Sequence, residues 1–308
     1  MGKTAWIFPG QGSQCIGMGR ELCERNEEAR LIFERAEETL GTPLRRIMFE
    51  GPEETLKETR NAQPAIFVLS VALARALSSM GHVPDFVAGH SLGEYSALVA
   101  AGAIEFDDAV ELVRDRALSM QEACLTNPGT MCAILGLDAP TIGEVCAGVS
   151  DGIVDVANIN SPGQVVISGE HEAVRKAGED AKKRGAKRAM PLQVSGAFHS
   201  RLMRPAAEKF ASSVRTASIS RPLAHFFPNV SASPTEAPEQ IRAGLIRQIC
   251  SPVLWQLTIE RMLERGVETF VEVGPGKVLT GLLKRINGSS ITLNVDGPES
   301  LEQAAQAL

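Results

Sequence analysis

The chain has 308 residues, 44% of them hydrophobic and 22% charged, with a formal net charge of -6. That length allows a large core in one big domain or two unequal ones, and the acidic balance argues against a nucleic-acid partner, whose binding surface would be basic. Cys15, Cys23, Cys124, Cys132, Cys146 and Cys250 show no C-x-x-C or Cys/His ligand spacing. They exclude a disulfide frame and a zinc site, and predict small buried thiols in a reducing cytosol.

Met1-Gly2-Lys3 leads straight into an apolar strand over 4–8, without the hydrophobic leader of a signal peptide. Trp6 stands where a myristoylation signal wants Ser or Thr. The strand runs into a glycine-rich turn, Pro9-Gly10-Gln11-Gly12-Ser13-Gln14. A charged helix is predicted over 20–40, with Leu22, Ala29, Ile32, Phe33, Ala36 and Leu40 at helical spacing. Pro64, suited to a first turn, is predicted to begin the next helix, and Gly81 to end it. The apolar segment 64–80 is interrupted by Ser70 and Arg75 and reads as too short to span a bilayer, so no membrane partner is expected. A cytoplasmic, soluble protein is the prediction.

A strand over 86–89 precedes an alanine-rich helix ending at Gly102, and a further amphipathic helix is predicted over 106–123. Repeated βα units imply a mostly parallel sheet covered by helices. The texture changes near Asn127-Pro128-Gly129. Strand 131–135, helix 140–147, strand 154–159, a tight turn at Asn160-Ser161-Pro162-Gly163, strand 164–168, helix 170–184 and strand 189–194 follow. This β-α-β-β-α-β order is the ferredoxin-like split unit, read as a small inserted subdomain over 127–196. The large subdomain is then 1–126 and 197–308. It resumes with a helix to about residue 215, a proline-punctuated stretch, helices over 239–248 and 253–265, strand 269–273 and a last helix over 278–286.

Gly89-His90-Ser91-Leu92-Gly93 joins a strand to a helix and fits the G-x-S-x-G nucleophile elbow. Both glycines are required because a Cβ would clash where strand and helix approach. The helix start that follows aims free N–H groups at an oxyanion formed on a carbonyl attacked by Ser91. Such a serine needs a base. His82 and His171 lie in surface contexts, His90 is too near Ser91 in sequence to face its hydroxyl, and His225 beside Phe226-Phe227 reads as packed. His199 sits where the inserted unit returns to the main one, a junction where clefts form. Asp138, Asp151, Asp155 and Glu170 all fall inside the insertion, none at a strand end suited to orient His199, which weakens an esterase reading; a backbone carbonyl would serve in their place, giving a Ser–His dyad.

Other motifs read less sharply. Gly10-Gln11-Gly12 lacks the third glycine of a dinucleotide fingerprint, since Cys15 stands in its place. Gly274-Pro275-Gly276-Lys277 lacks the features of a phosphate loop and reads as a strand-to-helix turn. Arg116 on the helix after the elbow would be solvated or, inside an acyl pocket, offer a planar fork to a substrate carboxylate. Lys182-Lys183-Arg184 with Lys187-Arg188 is a solvated helix end or a dock for an acidic partner.

Taken together, these residues resemble the malonyl-CoA:acyl-carrier-protein transacylase family of bacterial fatty acid synthesis, nearly end to end. The resemblance rests on Phe8-Pro9-Gly10-Gln11-Gly12-Ser13-Gln14, Gln63-Pro64-Ala65, Gly89-His90-Ser91-Leu92-Gly93-Glu94-Tyr95 and Arg114-Asp115-Arg116 with Met120-Gln121. It continues through Asn160-Ser161-Pro162-Gly163-Gln164, Ala197-Phe198-His199-Ser200, Gln248 with Ser251-Pro252-Val253, and Glu272-Val273-Gly274-Pro275-Gly276. Ala117 stands where many relatives have glycine.

The resemblance implies an α/β-hydrolase-like core carrying the ferredoxin-like insertion. It implies Ser91 as nucleophile, His199 as base, the N–H groups of Gln11 and Leu92 as oxyanion hole, and Arg116, Gln63 and Phe198 around the substrate. The segment at Gln248 would orient His199 through a main-chain carbonyl. Malonyl-CoA and acyl-carrier protein are the implied partners of a monomer, exchanging one thioester for another through an acyl-serine without ATP, metal or other cofactor. A discrete acyltransferase serving a polyketide synthase carrier, a serine esterase or thioesterase, and a catalytically silent interaction protein stay as alternatives at this stage.

Overall fold

The structure is a computed structural model and describes residues 2–308; Met1 and its part in the N-terminal reading lie outside the described residues. Its strands are β1 (Lys3–Phe8), β2 (Phe86–Gly89), β3 (Thr130–Leu135), β4 (Val154–Ser161), β5 (Gln164–Gly169), β6 (Arg188–Pro191), β7 (His225–Phe227), β8 (Val267–Val273) and β9 (Ile291–Val295). Five of them stand in the order β7-β2-β1-β8-β9, every neighbouring pair parallel. The other four make a separate antiparallel sheet, β4-β5-β3-β6.

β1 occupies the middle of the parallel sheet, and successive side chains point to opposite faces. Trp6 and Phe8 enter the core that holds the helices Thr59–Ser79 and Phe106–Thr126, while Ala5 and Ile7 pack with Trp255, Ile259 and Phe270 on the other face. Burial on both faces is why the strand reads as an unbroken apolar run. In the antiparallel sheet the alternation divides two cores. Cys132 and Ile134 pack under the helices Ala139–Ala147 and His171–Lys183, whereas Met131 and Ala133 face the main body.

Several boundaries differ from the sequence expectation. The helix carrying Pro64 begins earlier, at Thr59. Its first-turn donors find partners there: the Glu58 carbonyl accepts from Asn61 and Ala62, and Gln121 Oε1 accepts from the Arg60 N–H at 3.0 Å. Pro64 therefore sits one turn inside, where its missing N–H removes a single helix bond. At 21 residues the helix is long and apolar enough to cross a membrane, contrary to the count from Pro64, but 83% of its most apolar window is buried in the core.

The helix expected over 20–40 breaks at Asn26, which is extended and whose side chain accepts from the Ala29 N–H at 2.8 Å to cap a second helix, Glu27–Leu40. The helix expected from residue 253 starts at Trp255. Val253 is instead spent on β4, donating to Ala157 and accepting from Ile159, both at 2.9 Å. β7 lay hidden in the proline-rich stretch, and β9 with the helix Pro298–Ala307 follows the helix expected to be last. His225, expected to be packed, is exposed at the start of β7 with its ring against Phe86.

The elbow glycines meet the expectation. A Cβ on Gly89 would lie 1.8 Å from the Gly93 carbonyl carbon, and one on Gly93 would lie 2.1 Å from the Phe8 carbonyl oxygen. Backbone in the central strand cannot shift to make room. Gly93→Ala should therefore lose about 3 kcal/mol or more, measured as a lower urea midpoint. Gly143→Ala, on an open helix face with nothing within 4 Å, should leave that midpoint unchanged or raise it.

Candidate active site

β2 ends at Gly89 and the next helix starts at Gly93, leaving Ser91 at the apex of the turn with φ 53°. A non-glycine residue held there is strained, and the strain projects its hydroxyl off the sheet. The Ser91 Oγ lies 2.8 Å from His199 Nε2, and His199 Nδ1 lies 2.9 Å from the Gln248 carbonyl oxygen. A carbonyl only accepts, so Nδ1 carries the proton and Nε2 presents its lone pair to the serine. His199 also has a left-handed backbone, φ 60°. Its turn is held by Ser200, whose hydroxyl donates to the Ala197 carbonyl at 2.7 Å.

Burial and the neighbouring Arg116 guanidinium push the His199 imidazole down to about 3. That favours the neutral imidazole, whose Nε2 faces the serine hydroxyl at 2.8 Å.

Arg116, from the middle of the helix Phe106–Thr126, reaches the same point and is 1% exposed. One terminal nitrogen donates to Gln63 Oε1 at 2.7 Å, and the other to Gln248 Oε1 at 2.9 Å and to Ser91 Oγ at 3.0 Å. The guanidinium lies over the Tyr95 ring, 5.6 Å from its centroid. Among the described residues no carboxylate forms an ion pair with it. Its hydrogen-bond partners are neutral and the buried Glu94 carboxyl acts on it only through space, so its guanidinium can still take up an incoming anion.

These groups open onto a cavity of about 550 Å³ between the two sheets. Gln11, Gln63, Ser91, Arg116, Phe198 and His199 line it, with Met131, Asn158 and Asn160 from the antiparallel sheet forming the opposite wall. Gln248 stands behind Arg116 and His199, touching both. The Leu92 side chain is buried away from the cavity, and neither its N–H nor that of Gln11 is spent on a protein acceptor among the described residues. The Gln11 side chain donates to Thr59 Oγ1 at 3.3 Å, itself 3.2 Å from Ser195 Oγ, tying the glycine-rich turn to the loop that carries the chain back from the antiparallel sheet.

The structure thus brings Ser91, His199, Arg116, Gln63, Gln11 and Phe198 together around the cavity with Gln248 behind them, while the Leu92 side chain lies outside its lining. The acids inside the insertion do not join them: Asp138 caps a helix, Asp151 pairs with Lys176, Asp155 with Arg201, and Glu170 precedes the helix His171–Lys183. The basic cluster at 182–188 lies outside the cavity, with Arg184 paired to Glu144 and Asp180. Gly274-Pro275-Gly276-Lys277 is the turn from β8 into the helix Val278–Ile286, whose Leu279 and Thr280 N–H groups are capped by buried Glu272.

Sequence reasoning missed two residues that touch the elbow. Asn229 accepts from the Ser91 N–H at 2.7 Å, and Glu94 accepts from the Asn229 N–H. A charged residue at the start of an otherwise apolar helix was the available signal for Glu94; nothing local marked Asn229. His90 turns away from the serine toward Asn160, 2.9 Å from its Oδ1.

Comparison with known proteins places the chain among acyltransferases. The acyl transferase domain family matches residues 5–295. The chain is 48% identical over 310 residues to the malonyl CoA-acyl carrier protein transacylase of Bacillus subtilis, covering 100% of this chain and 98% of the relative. Its fold superposes with a TM-score of 0.96 on the acyl-carrier-protein-S-malonyltransferase of Bartonella henselae, 44% identical with 99% of each chain covered. The same TM-score relates it to a malonyl-transacylase solved in complex with its type II polyketide synthase acyl-carrier protein, 43% identical, covering 99% of this chain and 100% of that one. Fold and likeness agree, and the chain belongs to the acyl transferase domain family.

Proposed function

We propose that the chain transfers a malonyl group from malonyl-CoA to the phosphopantetheine thiol of an acyl-carrier protein. The observation that carries this reading is Arg116, a buried cation with no ion pair among the described residues, one nitrogen 3.0 Å from the Ser91 hydroxyl. An acyl group attached to Ser91 and bearing a free carboxylate would meet that guanidinium. Hydrogen bonds to charged groups contribute about 1.5–3 kcal/mol, which favours malonyl over acetyl by about ten- to a hundredfold.

Ser91 Oγ attacks the thioester carbonyl as its proton passes to His199 Nε2. The oxyanion collects the N–H groups of Gln11 and Leu92, the tetrahedral intermediate collapses, and CoA leaves as its thiol with the proton from His199. The carrier thiol then repeats the sequence on the acyl-serine, with His199 again taking and returning a proton. Thioester is exchanged for thioester, so the chemistry calls for neither ATP nor metal.

The element order of the antiparallel unit supports a ferredoxin-like subdomain over 127–196 set into an α/β-hydrolase-like large subdomain of 1–126 and 197–308. Every site residue comes from one chain, which supports action as a monomer, and six free thiols support a cytoplasmic setting. The similarity to the polyketide synthase pair supports a carrier of that kind as an alternative acceptor.

The test is purified protein with malonyl-CoA, with and without each phosphopantetheinylated carrier. Malonyl-carrier should form, and without carrier CoA release should stop after one equivalent. Continuous release without carrier would make the chain a hydrolase. Arg116→Ala should cut the malonyl-over-acetyl ratio of kcat/KM by about ten- to a hundredfold; an unchanged ratio would remove the carboxylate clamp.

A further inference from the structure

The nucleophile elbow is gripped from a loop far away in sequence. Asn229, fully buried after β7, accepts from the Ser91 N–H through Oδ1 at 2.7 Å and donates through Nδ2 to the Gly89 carbonyl at 2.6 Å. One side chain therefore bridges the turn on both sides of His90. Asn229 is itself fixed from two directions. Its N–H donates to Glu94 Oε1, and its carbonyl accepts from the Leu254 N–H at 3.0 Å. Glu94 is 1% exposed, and its other oxygen has no hydrogen-bond partner among the described residues. Gln248 Nε2 completes the grip by donating to the Ser91 carbonyl at 2.9 Å.

We propose that Asn229 and Glu94 are positioning residues for the nucleophile: Asn229 clamps the elbow and Glu94 sets Asn229 in place. Left-handed backbone at Ser91 persists only if the surroundings over-determine it. Without the clamp the residue relaxes toward negative φ, and its hydroxyl leaves both His199 and Arg116. The clamp also occupies the Ser91 N–H, which leaves the Leu92 N–H as the elbow's donor for an oxyanion. Glu94 serves the clamp as the acceptor for the Asn229 N–H, a role that a neutral side chain of the same shape can fill. The proposal rests on acyl transfer through Ser91 but not on the identity of the acyl group.

Two readouts separate positioning from stability and from substrate choice. One is the rate at which diisopropyl fluorophosphate modifies Ser91, which needs neither malonyl pocket nor carrier; the other is kcat and KM with malonyl-CoA. Asn229→Ala should lower the modification rate and kcat together, by about a hundredfold for a displaced reacting atom, with KM little changed. Glu94→Met, which also removes an unpartnered buried oxygen and so should fold, is expected to lower both in the same way but less. Glu94→Gln keeps the accepting oxygen and should react at the wild-type rate. A folded Asn229→Ala or Glu94→Met with wild-type modification rate overturns the proposal, as does Glu94→Gln impaired as badly as Glu94→Met. If Asn229→Ala does not fold, the Glu94 pair decides alone. Protein inert toward malonyl-CoA whose variants still lose reagent reactivity would refute the substrate and keep the clamp.

Discussion

Ser91→Ala is expected to abolish the acyl-enzyme and lower turnover by about 10⁶-fold, the scale seen when a serine nucleophile is removed from a comparable unit. The expectation rests on geometry. Ser91 Oγ is the atom on which His199 Nε2 and an Arg116 nitrogen converge, at 2.8 and 3.0 Å, at the edge of the cavity. The other serines lining the cavity are engaged away from His199: Ser195 Oγ lies 3.2 Å from Thr59 Oγ1, and Ser13 donates to the Gly10 carbonyl at 2.8 Å. Alanine and serine suffer the same strain at φ 53°, so the variant should unfold at nearly the wild-type urea concentration. Incubation with radiolabelled malonyl-CoA followed by denaturation reads the result directly. A normal yield of labelled protein would move the nucleophile elsewhere.

His199→Ala should cost nearly as much, and the double variant with Ser91→Ala should be no worse than either alone, because base and nucleophile act as a unit. Additive losses would break the dyad. The pH profile is the second arm of this prediction. Burial, then the Arg116 charge, push the His199 imidazole down to about 3. Protonation disables the base, so acylation should not decline through the ordinary histidine range near 6.5 and should fall only as pH approaches about 3. Arg116→Gln removes one cause of the depression and should move that acid limb upward. A wild-type limb near 6.5 would refute a buried neutral base. The same depression links to stability. A histidine kept neutral by folding stabilises the native state fully above its unfolded value, and that contribution is lost as pH falls from about 6.5 toward 3.

The core of the chemistry was legible because it lives in contiguous residues. Gly89-His90-Ser91-Leu92-Gly93 needs its glycines for contacts within a few residues and with β1, and local spacing records that need. The missing acid was legible too, since no Asp or Glu was placed to orient His199, and the Gln248 carbonyl fills that role at 2.9 Å. Pro64 misled because first-turn preference is a local rule, whereas Gln121 from another helix supplies the cap that lets the helix begin at Thr59. Asn26 was missed for the reverse reason: helical periodicity runs straight through it, and only its side-chain bond to Ala29 breaks the helix.

The sequence by itself determined the alternation of strands and helices, the elbow and the residue types that its chemistry requires. These follow from side-chain periodicity, glycine's missing Cβ and the acid-base character of each group, all properties of short segments. Only the tertiary structure decided that Arg116 forms no ion pair among the described residues, that burial and Arg116 depress the His199 imidazole, and that Asn229 and Glu94 hold Ser91 in its left-handed turn. Those outcomes depend on which groups burial removes from water and which partners it leaves within 3 Å. Such partners lie 25 to 157 residues apart around Ser91, a separation at which local patterning in the chain carries no signal.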